Sequence, residues 1–274
     1  MYVIVNSQLI NELCVRINPF SPGYQYGYGV FETIKISVGK AIFLYEHYVR
    51  MMDGLTELQM VPEKDYETIA LQCEQLIKAN HLKNGYLKII CSRDEQNTTH
   101  WILMTGEKQY ISEYQQGLRL CLSNTRRNEF SPLCRIKSLN YLENILQHEQ
   151  AIRQGYDEAV FLNTQDQVCE GTISNLFWLK DHQLYTPNLA CGLLPGIARQ
   201  KVIEMCTELG LNVSYGAFGL DEMRSADAIF LTNSLMDIMP VSQFENKHYE
   251  LKSSDETHKF MELYQNRYLK NGVV

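Results

Sequence analysis

The chain has 274 residues, a net charge of −7, 45% hydrophobic and 21% charged residues, and seven prolines. This composition excludes a disordered chain and leaves room for one large or two modest domains. No run of Lys and Arg marks a nucleic-acid footprint, and solubility alone accounts for the acidity.

Eight cysteines, at 14, 73, 91, 121, 134, 169, 191 and 206, form no Cys-x-x-Cys pair. That argues against zinc ribbons and redox dithiols. Most sit in apolar runs such as Leu120-Cys121-Leu122 and read as small buried hydrophobes, which suits a reducing, cytoplasmic setting. Met1–Asn6 has no basic region and does not read as a signal peptide. No segment approaches the roughly 20 apolar residues that cross a bilayer. His47, His81, His100 and His148 have no ligand-like spacing with Cys, Asp or Glu, so no metal is expected.

In chain order, residues 1–5 and 30–37 read as strands from their branched and aromatic content. Val38-Gly39-Lys40 predicts a turn, and Ala41 to Leu44 the return strand of a hairpin. Residues 45–58 and 64–80 predict helices separated by Pro62. A strand follows at Tyr86 to Cys91, with Trp101 to Met104 as its neighbour. The polar stretch 106–117 reads as the connection between two domains, 1–112 and 113–274. Leu118 to Leu122 is the next strand. Apolar residues at 139, 142, 145, 146 and 152 have helical spacing as far as Gly155. Strands are predicted at 158–163, 175–179, 183–186 and 228–231, and helices at 197–209 and 254–269. The elements are mixed without strict β-α-β repetition, an α/β (α+β) pattern.

Two segments carry chemistry. One reads Glu170-Gly171-Thr172-Ile173-Ser174-Asn175-Leu176-Phe177, then Leu184-Tyr185-Thr186, then Leu194-Pro195-Gly196-Ile197-Ala198-Arg199. Gly196 and Ile197 stand where a loop enters a helix, so their N–H groups can meet an anion. The other is Ile136-Lys137-Ser138-Leu139-Asn140-Tyr141. A lysine near a helix start lies at the positive end of the dipole and loses its proton more readily. A neutral amine is what attack on an aldehyde requires.

These segments resemble the signature of the class-IV aminotransferase family, and the resemblance extends over nearly the whole chain. It implies pyridoxal 5′-phosphate (PLP) as cofactor, with Lys137 as its Schiff-base lysine. Glu170 would keep the pyridine nitrogen protonated, so that the ring accepts electrons. Ser174 and Asn175 belong to the same cofactor-binding stretch. Gly196, Ile197, Thr232 in Phe230-Leu231-Thr232-Asn233, and Arg50 in His47-Tyr48-Val49-Arg50 would hold the phosphate. Tyr141 stands where some members place a tyrosine on the phenolic oxygen, a core tyrosine being the alternative. The implied fold is fold type IV, with a smaller N-terminal α/β domain and a larger C-terminal pseudo-barrel domain that carries Lys137. Family members are homodimers, which implies one here.

The family includes branched-chain aminotransferases, D-amino acid aminotransferases and 4-amino-4-deoxychorismate lyases. Tyr26-Gly27-Tyr28-Gly29-Val30-Phe31-Glu32-Thr33 resembles the lyase form of its segment, with Thr33 at the position of a catalytic threonine. An ordinary β-branched strand residue remains the other reading of Thr33. D-amino acid enzymes hold the substrate carboxylate with an Arg-x-His pair ahead of position 101. Here His100 is present, but Thr98 stands in the arginine's place, and the bidentate grip is lost. Thr232–Val241 resembles the lyases' Asn-Ser-Leu and Pro-Val pattern. The resemblance thus implies conversion of 4-amino-4-deoxychorismate to 4-aminobenzoate and pyruvate, in folate synthesis. The alternative is a branched-chain or D-amino acid aminotransferase on the same fold. Tyr28, Arg93 and His100 are candidate substrate contacts, with a surface salt bridge as an equal reading of Arg93.

Overall fold

Alternating apolar residues turn the first part of the chain into an antiparallel sheet. The computed structural model describes residues 1–107, 116–251 and 256–270. They fall into two units, the first holding residues 1–107 and Ile136–Tyr141, the second the remainder. The expected boundary at 112/113 lies outside the described residues.

The first unit runs β1 (Tyr2–Val5), β2 (Gln8–Asn11), α1 (Pro22–Tyr26), β3 (Gly29–Ser37), β4 (Lys40–Ala41), α2 (Leu44–Glu57), α3 (Tyr66–Ala79), β5 (Gly85–Arg93) and β6 (Thr99–Gly106). Its sheet has the order β2-β1-β6-β5-β3-β4, and every neighbouring pair is antiparallel. Because side chains alternate along a strand, Ile34, Leu87, Ile89 and Cys91 form one buried core with Met51, Leu55, Cys73 and Leu76 of the helices. Phe31 and Thr33 take the other parity on β3, where they pair in register with Ile90 and Lys88. The expected strand over 41–44 is short, because Phe43 takes a left-handed conformation (φ 56°) and α2 starts at Leu44.

The segment carrying Lys137 clusters with this first unit, not with the second as the sequence implied. The reason is backbone pairing: Phe31 N–H donates to Lys137 O and Leu139 N–H to Gly29 O, each at 2.9 Å. Residues 137–139 therefore lie beside β3 through an isolated antiparallel bridge between Val30 and Ser138. This also delays the predicted helix, which begins at Leu142 rather than 139. Lys137 stands five residues ahead of the first helical residue, Leu142, in the chain.

The second unit runs β7 (Leu118–Arg127), α4 (Leu142–Arg153), β8 (Glu158–Asn163), β9 (Val168–Gly171), β10 (Asn175–Lys180), β11 (Gln183–Pro187), α5 (Ile197–Glu208), β12 (Val213–Gly216), α6 (Leu220–Arg224), β13 (Ala228–Asn233), β14 (Asp237–Phe244), β15 (Lys247–His248) and α7 (Glu256–Tyr264). The strand path is β12-β11-β10-β13-β14-β7-β8-β9, with β15 paired to β14. Pairs β11/β12, β14/β7 and β7/β8 are parallel and the others antiparallel. Asn175 of β10 nevertheless bonds Glu170 of β9, far along that path, so the sheet curls back on itself. The expected fold-type IV pseudo-barrel is the observed architecture. Leu118, Leu120, Val160, Leu176, Trp178, Leu231 and Val241 fill its core. The predicted last helix continues past Tyr264 as a π-helical turn, Gln265–Lys270, and its expected start at 254 lies outside the described residues.

All eight cysteines are free, and seven are buried. Among the described residues, no helix is long and apolar enough to cross a membrane.

Candidate active site

In the first unit, pairing along β3 brings Lys137 beside Phe31. The Lys137 ammonium lies 4.6 Å from the Phe31 ring centre and 5.1 Å from that of Tyr141. The two rings meet edge to face at 5.3 Å. Thr33 follows two residues along β3 on the same side, by strand alternation. Lys88, its register partner, points its amine at Phe31 from 4.8 Å and has its pKa lowered by burial.

Behind β3 lies a charged cluster. Glu32 accepts from Arg50 Nε at 2.8 Å and Nη2 at 2.6 Å, and from His47 Nδ1 at 2.6 Å. Glu32 and His47 are each 1% exposed. His47 Nε2 is buried without a partner. This pairing fixes the direction of the Arg50 guanidinium.

Tyr28 and Arg93 are brought together, with the guanidinium carbon 3.9 Å from the ring centre. Both also hold the turn after α2: Tyr28 donates to Leu58 O and Arg93 to Gln59 O. His100 is half-buried, which lowers its pKa, and pairs in register with Ser92. Thr98 is engaged locally, donating to Asp94 Oδ2 at 2.5 Å.

In the second unit, Glu170 collects donors from three directions. Arg127 Nη2 reaches Oε1 at 3.0 Å. Asn175 Nδ2 and the Leu194 N–H reach Oε2 at 3.2 and 3.0 Å. Asn175 also donates to Leu194 O at 2.9 Å, tying β10 to the loop that enters α5. Gly196 is the N-cap of α5, and no side chain caps the first turn. A Cβ at Gly196 would run into the Asn175 amide oxygen, so glycine is required there by close approach. Thr232 pairs in register with Asn175, and its buried hydroxyl has no partner.

Ser174 is turned elsewhere: its hydroxyl donates to Glu158 Oε2 at 2.9 Å. Glu158 is 2% exposed and also accepts from the N–H groups of Ala159, Thr172 and Ile173 and from the Thr172 hydroxyl. This buried carboxylate holds the turn between Glu170 and Asn175 in shape.

The geometry therefore groups Lys137, Tyr141, Thr33 and Arg50 around β3, and Glu170, Asn175, Gly196, Ile197 and Thr232 around the start of α5. Sequence reasoning missed Arg127 and Glu158. The one available signal was a charge at the end of an apolar strand, which also fits a solvated residue.

The family model for class IV amino-transferases matches residues 29–244. The aminodeoxychorismate lyase of Bacillus subtilis is 29% identical over 99% of this chain and 96% of its own length. The D-alanine aminotransferase of Listeria innocua is 27% identical over 89% of this chain and 88% of its own. The crystal structure of 4-amino-4-deoxychorismate lyase from Pseudomonas aeruginosa matches with a TM-score of 0.85 and 25% identity, covering 97% of this chain and 98% of that one. With more than half of its length matched by the family model, and with this fold, the chain belongs to the class IV aminotransferase family.

Proposed function

We propose that this PLP-dependent enzyme is a lyase that converts 4-amino-4-deoxychorismate to 4-aminobenzoate and pyruvate. The observation that carries the reading is Thr33, a hydroxyl on the side of β3 where Phe31 meets the Lys137 amine. The lyase-like relative matched over almost the whole chain supports it. So does Thr98, which occupies an arginine position of the D-amino acid enzymes and is engaged with Asp94.

The residues present fit the cofactor. Thr232 has a buried hydroxyl without a partner, and α5 opens with uncapped N–H groups beside it. A phosphate supplies acceptors to both. Arg50, braced by Glu32, would add its charge. Asn175 holds Glu170 in place for the pyridine nitrogen. Tyr141 and Phe31 flank the Lys137 amine, which carries the cofactor.

When bound, PLP draws electrons from the substrate carbon that bears the amine. Lys137 would serve as the base that takes the proton from that carbon. Glu170, held by Arg127, Asn175 and the Leu194 N–H, would hold a proton at the pyridine nitrogen. Thr33 donates a proton to the departing enolpyruvate. Tyr28, Arg93 and His100 contribute the substrate contacts.

The enzyme acts as a homodimer in the cytoplasm. Leu142, Ile145, Leu146 and Ile152 of α4 are exposed apolar residues, a surface that favours self-association. Eight free thiols suit a reducing compartment.

The test is incubation of the PLP-loaded enzyme with 4-amino-4-deoxychorismate. Release of pyruvate and 4-aminobenzoate in equal amounts is expected. Conversion of the cofactor to its amine form by an amino acid, without any aminobenzoate, would make the enzyme a transaminase.

A further inference from the structure

The guanidinium of Arg127 stands behind Glu170, and no motif singled it out. Arg127 ends β7 and is 8% exposed. Nη2 donates to Glu170 Oε1 at 3.0 Å and Nη1 to Asn144 Oδ1 at 3.2 Å. The guanidinium carbon lies 4.3 Å from the centre of the Phe161 ring, which fixes its plane. Asn144 Nδ2 donates in turn to Thr172 O at 2.7 Å. One arginine thus ties β7 to α4 and to the turn that follows Glu170. Its Nε is buried with no partner.

The charge balance has a direction. Arg127, Asn175 and Leu194 all donate to Glu170, and an ionised carboxylate accepts at both oxygens where a protonated one must give up a site. Arg199 of α5 and the thiols of Cys134 and Cys169 are among the described groups that also interact with Glu170. Burial pushes both thiols up, so they stay neutral. Arg199 is buried against Thr186 and the Pro187 carbonyl. Glu143, 3.5 Å from Arg127 Nη1 and half-exposed, acts through Arg127.

We propose that Arg127 is a positioning residue that keeps Glu170 ionised and aimed, and thereby sets how tightly the bound cofactor holds its protons. This rests on the cofactor reading above. Removing the Arg127 charge raises the proton affinity of Glu170. The pyridine nitrogen then shares its proton with a stronger base, and the cofactor as a whole deprotonates at higher pH. Removing Glu143 does the opposite, because Arg127 then acts on Glu170 undivided.

The experiment follows the absorbance of the PLP-loaded protein against pH for the wild type, Arg127→Gln, Arg127→Lys and Glu143→Gln. PLP dissociation constants and melting of the PLP-free proteins are measured alongside. The midpoint of Arg127→Gln is expected to rise by roughly one to two pH units. Arg127→Lys keeps the charge and stays near wild type, whatever its melting temperature. Glu143→Gln moves the midpoint down by a smaller amount, since its charge is partly screened. An unshifted midpoint in Arg127→Gln, or an equal shift in Arg127→Lys, overturns the assignment. If Arg127→Gln does not fold, the sign of the Glu143→Gln shift decides: downward supports it, and no shift or an upward one overturns it. A wild-type protein that takes up no PLP overturns the cofactor reading together with this one. A loaded wild type with unshifted variants overturns this one alone.

Discussion

Glu32 and Arg50 meet as a two-point ion pair inside the first unit, the carboxylate 1% exposed and the guanidinium bound through Nε and Nη2. Burial by itself raises the Glu32 carboxyl. The Arg50 charge and the hydrogen-bonded His47 outweigh it and hold Glu32 down to about 2. Burial is also the main reason that His47 lies below its ordinary range, so at neutral pH it donates Nδ1–H as a neutral ring.

A carboxyl lowered in the folded state stabilises at pH above its unfolded value and loses that contribution as pH falls through the folded one. For Glu32 the window runs from 4.5 down to about 2. The shift is about 2.5 units at 1.36 kcal/mol each, on the order of 3 kcal/mol. Glu32→Gln should lose that much stability at pH 7, with the gap to wild type closing as pH approaches 2. Urea unfolding at pH 7 and pH 3 measures it. Equal stability at pH 7 would show that the pair only breaks even with its desolvation cost.

Thr232→Val separates cofactor binding from folding. The substitution is nearly isosteric and removes a buried hydroxyl that has no partner. Melting of the PLP-free protein should be unchanged or slightly higher, because an unmet polar group is gone. PLP affinity should fall about tenfold, the value of one hydrogen bond to a charged group. Equal affinity in both proteins would remove Thr232 from the phosphate site.

Glu158→Gln probes the turn that carries Glu170 and Asn175. An amide nitrogen would face the Ile173 N–H and the Ser174 hydroxyl in place of an acceptor oxygen. Stability should drop by roughly 3 kcal/mol, from two charged hydrogen bonds lost in a buried site. PLP affinity should weaken as well, since Glu170 and Asn175 flank that turn. Unchanged calorimetric melting would mean that the turn keeps its shape without the carboxylate.

The sequence made local features legible. Apolar periodicity located α2 and α5, and Pro195-Gly196 marked the entry to α5. Lys137 and Glu170, the residues proposed to hold the cofactor, stand in a signature whose spacing is confined to short segments. Features that depend on distant partners were not legible. β9 has four residues, too few to show a period. β14 contains Pro240, which argues against a central strand. The proline is tolerated because pairing with β7 starts at Val241, so no ladder bond is required of it on that side. Lys137 could not be assigned to the first unit because its pairing with β3 spans a hundred residues of chain. Arg127 lies 43 residues from Glu170, and nothing near it in the chain hints at a buried carboxylate.

In the proposed function Lys137 alone carries the covalent link to PLP, and the most direct measurement is a peptide mass after PLP loading and borohydride reduction. A single phosphopyridoxyl adduct is expected on the peptide containing Ile136–Tyr141, at Lys137. An adduct at Lys88, the other amine beside Phe31, or no adduct at all, would contradict it.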